Sequence, residues 1–543
     1  MSYKQILIKS IKYIILSLIS ILNLGAQEKE DFLYNLSKQW PMASGPNGNW
    51  TLKTENTIPT AWSVSNNQNV LWKTKLPEGG QSGIAVWGNK LFLTINKPLP
   101  EGTLIENTEG SDIIGYCLNT NTGKVEWTLD IPSPKKMPYS GLFSDNSTPT
   151  PITNGKHVWF INAGGLIVCS DMDGNTIWKR PFESRMRHAA KQCEPIMIDN
   201  QLLYVMMRDS GDTLRKPMKA LQSGNKTDPE LWPWTFIRAF DADTGTPLWV
   251  ESTGTSVHNT PQIGYIDNKP AIFHLRGGGH TPPETPYGFN MSWASGKKAG
   301  ESIWSYKTKN IFAYTVTYFD ENFAYGIDDG CLLKFNSKTG VLLNRFQLFD
   351  QVEIHKWNTS KNKYETYHNV SFDLIIDKYR KIPTNETTIL IGKYFLFMTH
   401  EGHCIGRVDT ETGKVVYIQV PIQIARNSKN KDDILWNTHI PSDGINSRGV
   451  KTGMDKRAQR DGWGHVTSGN PIAINNYVFF STMIGMTYVI DSQQETFDDS
   501  ALISINDLGP AGSTWSLSTL SYSQEKIFHR GLKQVVCIKK ITD

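Results

Sequence analysis

Paired cysteines are missing from this chain. Its six cysteines (Cys117, Cys169, Cys193, Cys331, Cys404 and Cys537) are scattered singly among 543 residues, with no CxxC and no two adjacent. That excludes a cysteine-bound zinc module, and a domain of this size needs no disulfide framework. Cys169 and Cys331 sit in apolar stretches and read as small core residues. Charge of one sign is also lacking. Net charge is +4, and without Lys4, Lys9 and Lys12 of the N-terminal segment 53 basic residues face 52 acidic ones. A generic nucleic-acid binder needs a larger basic excess. No HExxH, EF-hand, P-loop or GxSxG is found. His400-Glu-Gly-His403 has i, i+3 spacing but lies beside a strand–turn stretch and reads as a polar hairpin. Beyond the N-terminus no run approaches the ~20 apolar residues of a membrane helix.

What is present begins with an export signal. Met1–Ala26 runs from lysines through an apolar stretch (Tyr13–Leu22) to Leu24-Gly-Ala-Gln27, the order of a cleavable signal peptide. The expected mature chain is periplasmic, with no membrane insertion and no lipid anchor, since the first cysteine is Cys117. An apolar content of 39% with 11% aromatics excludes disorder, while 44 glycines and 17 tryptophans imply many turns and aromatic-rich strands.

One pattern recurs: a β-rich run, a short Asp/Asn-Thr-Gly turn, then a strand carrying tryptophan. It reads Asn119-Thr-Asn-Thr-Gly-Lys-Val-Glu-Trp127, Asp171-Met-Asp-Gly-Asn-Thr-Ile-Trp178 and Asp241-Ala-Asp-Thr-Gly-Thr-Pro-Leu-Trp249, with a looser copy ending Gly300-Glu-Ser-Ile-Trp304. Gly123, Gly174, Gly245 and Gly300 each precede the tryptophan by four residues. Gly340 and Gly413 continue the series, with Asn344 and Tyr417 in place of tryptophan. Glycine permits positive φ in a tight hairpin and so fixes the aromatic's register on the next strand. The tryptophans are expected to pack between repeats.

Three short strand-like runs precede each turn and one follows, which makes four-stranded antiparallel blades at variable spacing, an all-β propeller. The blades fall near 81–130, 146–182, 193–252, 258–309, 313–348, 366–420 and 467–508. An eighth starts near Thr514 and lacks an outer strand, which Asn69–Lys75 supplies, so that no sheet edge is left open. Eight blades are favoured and seven are the alternative. Residues 27–61 form an N-terminal extension, and 62–543 a single propeller with insertions near 275–293 and 422–465. These turns resemble those of the PQQ-like repeat propellers, which include quinoprotein dehydrogenases and outer-membrane assembly propellers. The resemblance runs from about Trp62 to the C-terminus and speaks to fold more than to activity.

Residues just before each inner strand line the mouth of a propeller channel. They are Gln81-Ser82, Asp145-Asn146, His188 with Lys191 and Gln192, His258-Asn259, Tyr314, His368-Asn369, His465 and Trp515. Two insertions add Arg276, His280 and Tyr287, and Trp463 with Arg448, Arg457 and Arg460; loops of this length usually bind or cover ligands. By analogy with propeller lyases that act on uronic acids, this funnel is expected to carry out β-elimination, as dehydratase or lyase, on a uronic acid of an acidic, ulvan-like oligosaccharide. The catalytic candidates are His258, Tyr314, Arg276 and His465, with arginine holding the carboxylate, histidine as base and tyrosine as acid. Arg187, His188, Asn259, His280, Tyr287, His368 and Trp463 are the substrate-binding candidates. No cofactor is expected and the chain is expected to be a monomer. A divalent metal on His258, His368 and His465 ranks lower. PQQ ranks last, because the resemblance implies a vicinal disulfide that this sequence lacks. The alternatives are a non-catalytic interaction propeller of the outer-membrane assembly type and, after it, a quinone-dependent dehydrogenase.

Overall fold

The computed structural model describes residues 38–100, 112–134, 145–182, 193–207, 235–255, 260–276, 288–308, 316–376, 387–399, 401–426, 432–445, 451 and 469–541. Among these, strands pair into eight antiparallel blades arranged in sequence order. Blades 1 to 5 span 85–131, 152–181, 196–250, 262–307 and 318–347. Blade 6 is 388–419, blade 7 is 472–507, and blade 8 combines 521–539 with the N-terminal strand Val70–Lys75. That strand pairs antiparallel with Gln534–Lys539, so the two ends of the chain share one sheet and the ring has no free closing edge.

Turn chemistry sets the first hairpin of the blades. Asp199-Asn200 and Asp267-Asn268 have both residues at positive φ, the geometry of a two-residue turn whose twist matches the flanking strands. Middle strands such as His157–Asn162 are buried throughout, because neighbouring blades cover both their faces. Outer strands such as Thr176–Pro181 alternate between exposed and half-buried, with one face on the next blade and one in water.

The recurring tryptophan–glycine pattern is a latch between blades. The glycine of each turn lies under the aromatic of the preceding blade. Gly123 faces Trp72, Gly174 faces Trp127, Gly245 faces Trp178, Gly300 faces Trp249 and Gly340 faces Trp304; a Cβ on any of them would come within 3.2 Å of that ring. In four of the five the indole N–H then donates to a carbonyl at the end of the next blade's third strand, while Trp249 donates to Gln201 Oε1, whose amide in turn donates to Ala294 O. Trp72 reaches Thr120 O at 2.9 Å, Trp127 Met172 O at 3.1 Å, Trp178 Ala242 O at 3.2 Å and Trp304 Ser337 O at 2.6 Å. Blades 5 and 6 have no tryptophan at this position, and a cation replaces the indole. Lys334 Nζ donates to Thr410 O at 3.2 Å, and Arg407 Nη1 to Ser492 O at 3.2 Å.

Residues 38–62 cross the end of the ring where first strands finish. Lys38 O accepts from Ser523 of blade 8, Trp40 bridges to Val86 of blade 1, and Pro41 O accepts from Thr153 N of blade 2. Gly48 presses on Ile263 of blade 4, Trp50 meets Tyr318 of blade 5 edge-on, and Thr51–Leu52 pair in parallel with Ala473–Ile474 of blade 7. Trp62 stacks on Phe479 and is 1% exposed, as is Trp50, while Trp40 is wholly buried. This segment plugs one end of the channel.

The sixth blade departs from the sequence reading. Its first strand is Thr388–Ile391, not a run near 366. Val352–Asn358 and Lys363–Val370 form an extra hairpin, the former parallel to the outer strand Val415–Gln419, so this sheet has six strands. Alternating residues in 363–370 look alike for an inner or an outer strand; only the pairing partner distinguishes them. His368 therefore lies at the outer rim with its side chain 71% exposed, 3.0 Å from Glu353, and not at the channel mouth.

Candidate functional site at the channel mouth

Opposite the plug, the starts of first strands and the connections from the preceding outer strands meet on one face. The arc from blade 8 to blade 2 is a closed polar web. Arg530 donates to Ser82 O at 3.3 Å, and Gln81 N donates to Ser147 Oγ at 3.0 Å. Asp145 accepts from Ser147 N (2.7 Å), Ser147 Oγ (2.6 Å) and Asn96 Nδ2 (2.9 Å). Gln81, Ser82, Asp145, Asn146 and Trp515 are all buried. The Asp145 carboxylate, held by three donors, shapes the mouth on this arc and is not placed to react.

Next around the ring stands Glu194, half-buried two residues before the first strand of blade 3. Its carboxylate accepts from Thr150 N of blade 2 at 2.9 Å, and its own N–H donates to Thr260 Oγ1 of blade 4 at 3.0 Å. Burial raises its pKa to about 7, against the opposing pull of the Thr150 hydrogen bonds. Buried Tyr204 lies against the same group. Burial first, then the Cys193 and Glu194 charges, push its phenol up, and its hydroxyl makes no hydrogen bond among the described residues. The sequence reading named the positions just upstream and passed over Glu194, whose only local signal is one acid at the head of an apolar strand.

Between blades 3 and 4 lies a second buried polar group. Glu251 and His274 are fully buried 3.7 Å apart. Glu251 also accepts from Ser292 Oγ (3.0 Å), Thr253 N (2.8 Å) and Thr253 Oγ1 (2.7 Å). Burial works against its charge, but His274 and Thr253 outweigh it and hold the carboxyl below its usual range. Arg276 ends the second strand of blade 4 beside this group, with Nη2 3.5 Å from Thr253 O.

Of the residues singled out from sequence, Arg276 is placed at the mouth and His368 away from it. His258, Tyr314, His465, Arg187, His188, Asn259, His280, Tyr287 and Trp463 lie outside the described residues, as do Lys191, Gln192, Arg448, Arg457 and Arg460. None of the six cysteines is in a disulfide and all are buried, Cys169 and Cys331 among them. His403 sits in the hairpin turn before Cys404, as expected of a polar hairpin. Among the described residues no three His, Cys, Asp or Glu side chains gather as metal ligands.

Residues 110–279, from the third strand of blade 1 to the second of blade 4, match a PQQ-type family model described as Outer membrane protein assembly factor BamB. No curated protein sequence matches the chain. Similar solved structures include BamB from Moraxella catarrhalis, with 10% identity, TM-score 0.44 and coverage of 87% of this chain and 97% of that one. Quinohemoprotein alcohol dehydrogenase from Comamonas testosteroni is 11% identical, with TM-score 0.47 and coverage of 94% and 83%. Saccharomyces cerevisiae Sqt1 is 7% identical, with TM-score 0.48 and coverage of 87% and 99%. By its blades the chain is an eight-bladed β-propeller, and within it residues 110–279 are similar to a PQQ-type repeat model.

Proposed function

We propose that the channel mouth is an acid–base site that removes the proton beside the carboxylate of a uronic acid. The reading rests on Glu194, a carboxyl that burial raises to a pKa of about 7, at the end of the ring opposite the N-terminal segment. A base is most effective when its pKa lies near the working pH, and burial has moved this one there. Arg276 supplies a planar cation to hold the substrate carboxylate and to stabilise charge as the C5–H bond breaks. The C5 proton passes to Glu194, the electron pair forms the C4–C5 double bond, and the C4–O bond breaks. Tyr314 or Tyr287 protonates the departing oxygen, which leaves as water or as a sugar hydroxyl. His258, two residues before Thr260 in the sequence, is the alternative acceptor of the C5 proton in place of Glu194.

The test is ultraviolet absorbance of the unsaturated uronate, with the full chain and a panel of uronate oligosaccharides. Turnover that is lost in Glu194→Gln and weakened in Arg276→Ala supports the reading; no product from any substrate rejects it. A second reading, a non-catalytic interaction propeller, draws on the family model matched by blades 1 to 4 and on the exposed edge strand Lys363–Val370. Peptide binding by an inactive chain would favour it.

A further inference from the structure

A cavity of about 340 Å³ opens outside the channel, where the second insertion meets blade 6. Its size is at the low end of small-molecule sites, about 300–1,000 Å³. Trp436 forms one wall, and Glu401, His403, Gln419 and Asn437 bring polar groups to it. The wall is rigid. Trp436 stacks on Trp357 of the extra hairpin with centroids 4.6 Å apart and planes 2° apart, and Tyr364 packs edge-on against both rings. Trp357 does not line the cavity and covers Trp436 from elsewhere, so part of the Trp436 surface is left to the cavity.

The polar side is built as firmly. Gln419 Oε1 accepts from Trp357 N at 3.1 Å, which turns its amide nitrogen elsewhere. Val420 N donates to His403 O at 2.8 Å and ties the turn to the outer strand. Gly402 and His403 both take positive φ, 85° and 52°, and a Cβ on Gly402 would lie 2.5 Å from Ile375 Cγ2. Only glycine lets this turn close against the segment before it.

We propose that this cavity binds one unit of a neutral saccharide. An apolar ring face suits the indole, and ring hydroxyls suit the amides and the carboxylate, an aromatic wall with a few placed polar groups. Among the described residues no lysine or arginine lines the cavity, and Glu401 disfavours an anion. The site is independent of the channel chemistry: it requires no catalysis and uses no residue of the mouth.

The experiment is calorimetry with tryptophan fluorescence on the full chain, using maltotriose, cellotriose, laminaritriose and trigalacturonate. At least one neutral trisaccharide is expected to bind and shift the emission. Affinity should fall at least about tenfold in Trp436→Ala and in Asn437→Trp, where the new ring fills the cavity from an exposed position, and stay unchanged in Glu194→Gln. No binding of any neutral trisaccharide, or binding that survives both cavity variants, overturns the proposal. Trigalacturonate as the one ligand, lost in Glu194→Gln, also overturns it and assigns binding to the channel.

Discussion

Replacing Gly245 with alanine should destabilise the ring more than the same change at Gly88. Both glycines have positive φ, 69° and 60°, so each alanine incurs the left-handed penalty of about 1–2 kcal/mol. At Gly88 nothing lies within 4 Å of the new Cβ. At Gly245 the Cβ would meet Trp178 Cε3 and Cζ3 at 2.8 Å, against an indole whose N–H is engaged with Ala242 O. Overpacking of this kind adds about 1–3 kcal/mol. Urea unfolding reads the difference as a lower midpoint for Gly245→Ala at unchanged slope. Equal midpoints would show that the tryptophan–glycine contact does not hold neighbouring blades together.

Trp40→Ala removes a fully buried ring from the plug and should cost about 3–5 kcal/mol in urea unfolding. Glu251→Ala removes the buried acceptor of Ser292 and Thr253 and should lose about 1–3 kcal/mol at neutral pH. Because the Glu251 carboxyl is held below its unfolded value, its stabilisation is present above that value and fades as pH falls through the folded one. The stability gap between wild type and Glu251→Gln should therefore narrow in acid. His368→Ala, far from the mouth, should leave stability within about 0.5 kcal/mol and uronate turnover unchanged; a lost turnover would return His368 to the site.

The ring was legible because its signals are local. Glycine four residues before tryptophan marks the first four blades, and Asn69–Lys75 reads as a closing strand. The sequence does not say that the two halves of one motif serve different neighbours, Gly174 receiving Trp127 while Trp178 goes on to Gly245. The plug carries no strand periodicity, and its partners lie across the chain, as with Trp62 and Asn506. Glu194 is equally opaque. Its environment comes from Thr150, Tyr204 and Thr260 on three different blades, and no window of sequence holds them together. Lys363–Val370 misled because an outer hairpin and a first strand share the same alternation.

The acid–base reading is tested most directly by the ionisation of Glu194 itself. Carboxyl infrared difference spectra between wild type and Glu194→Gln, followed across neutral pH, should show one carboxylate titrating near 7. A Glu194 that titrates at the ordinary value of about 4.3 would contradict it, leaving the mouth with no base of that kind.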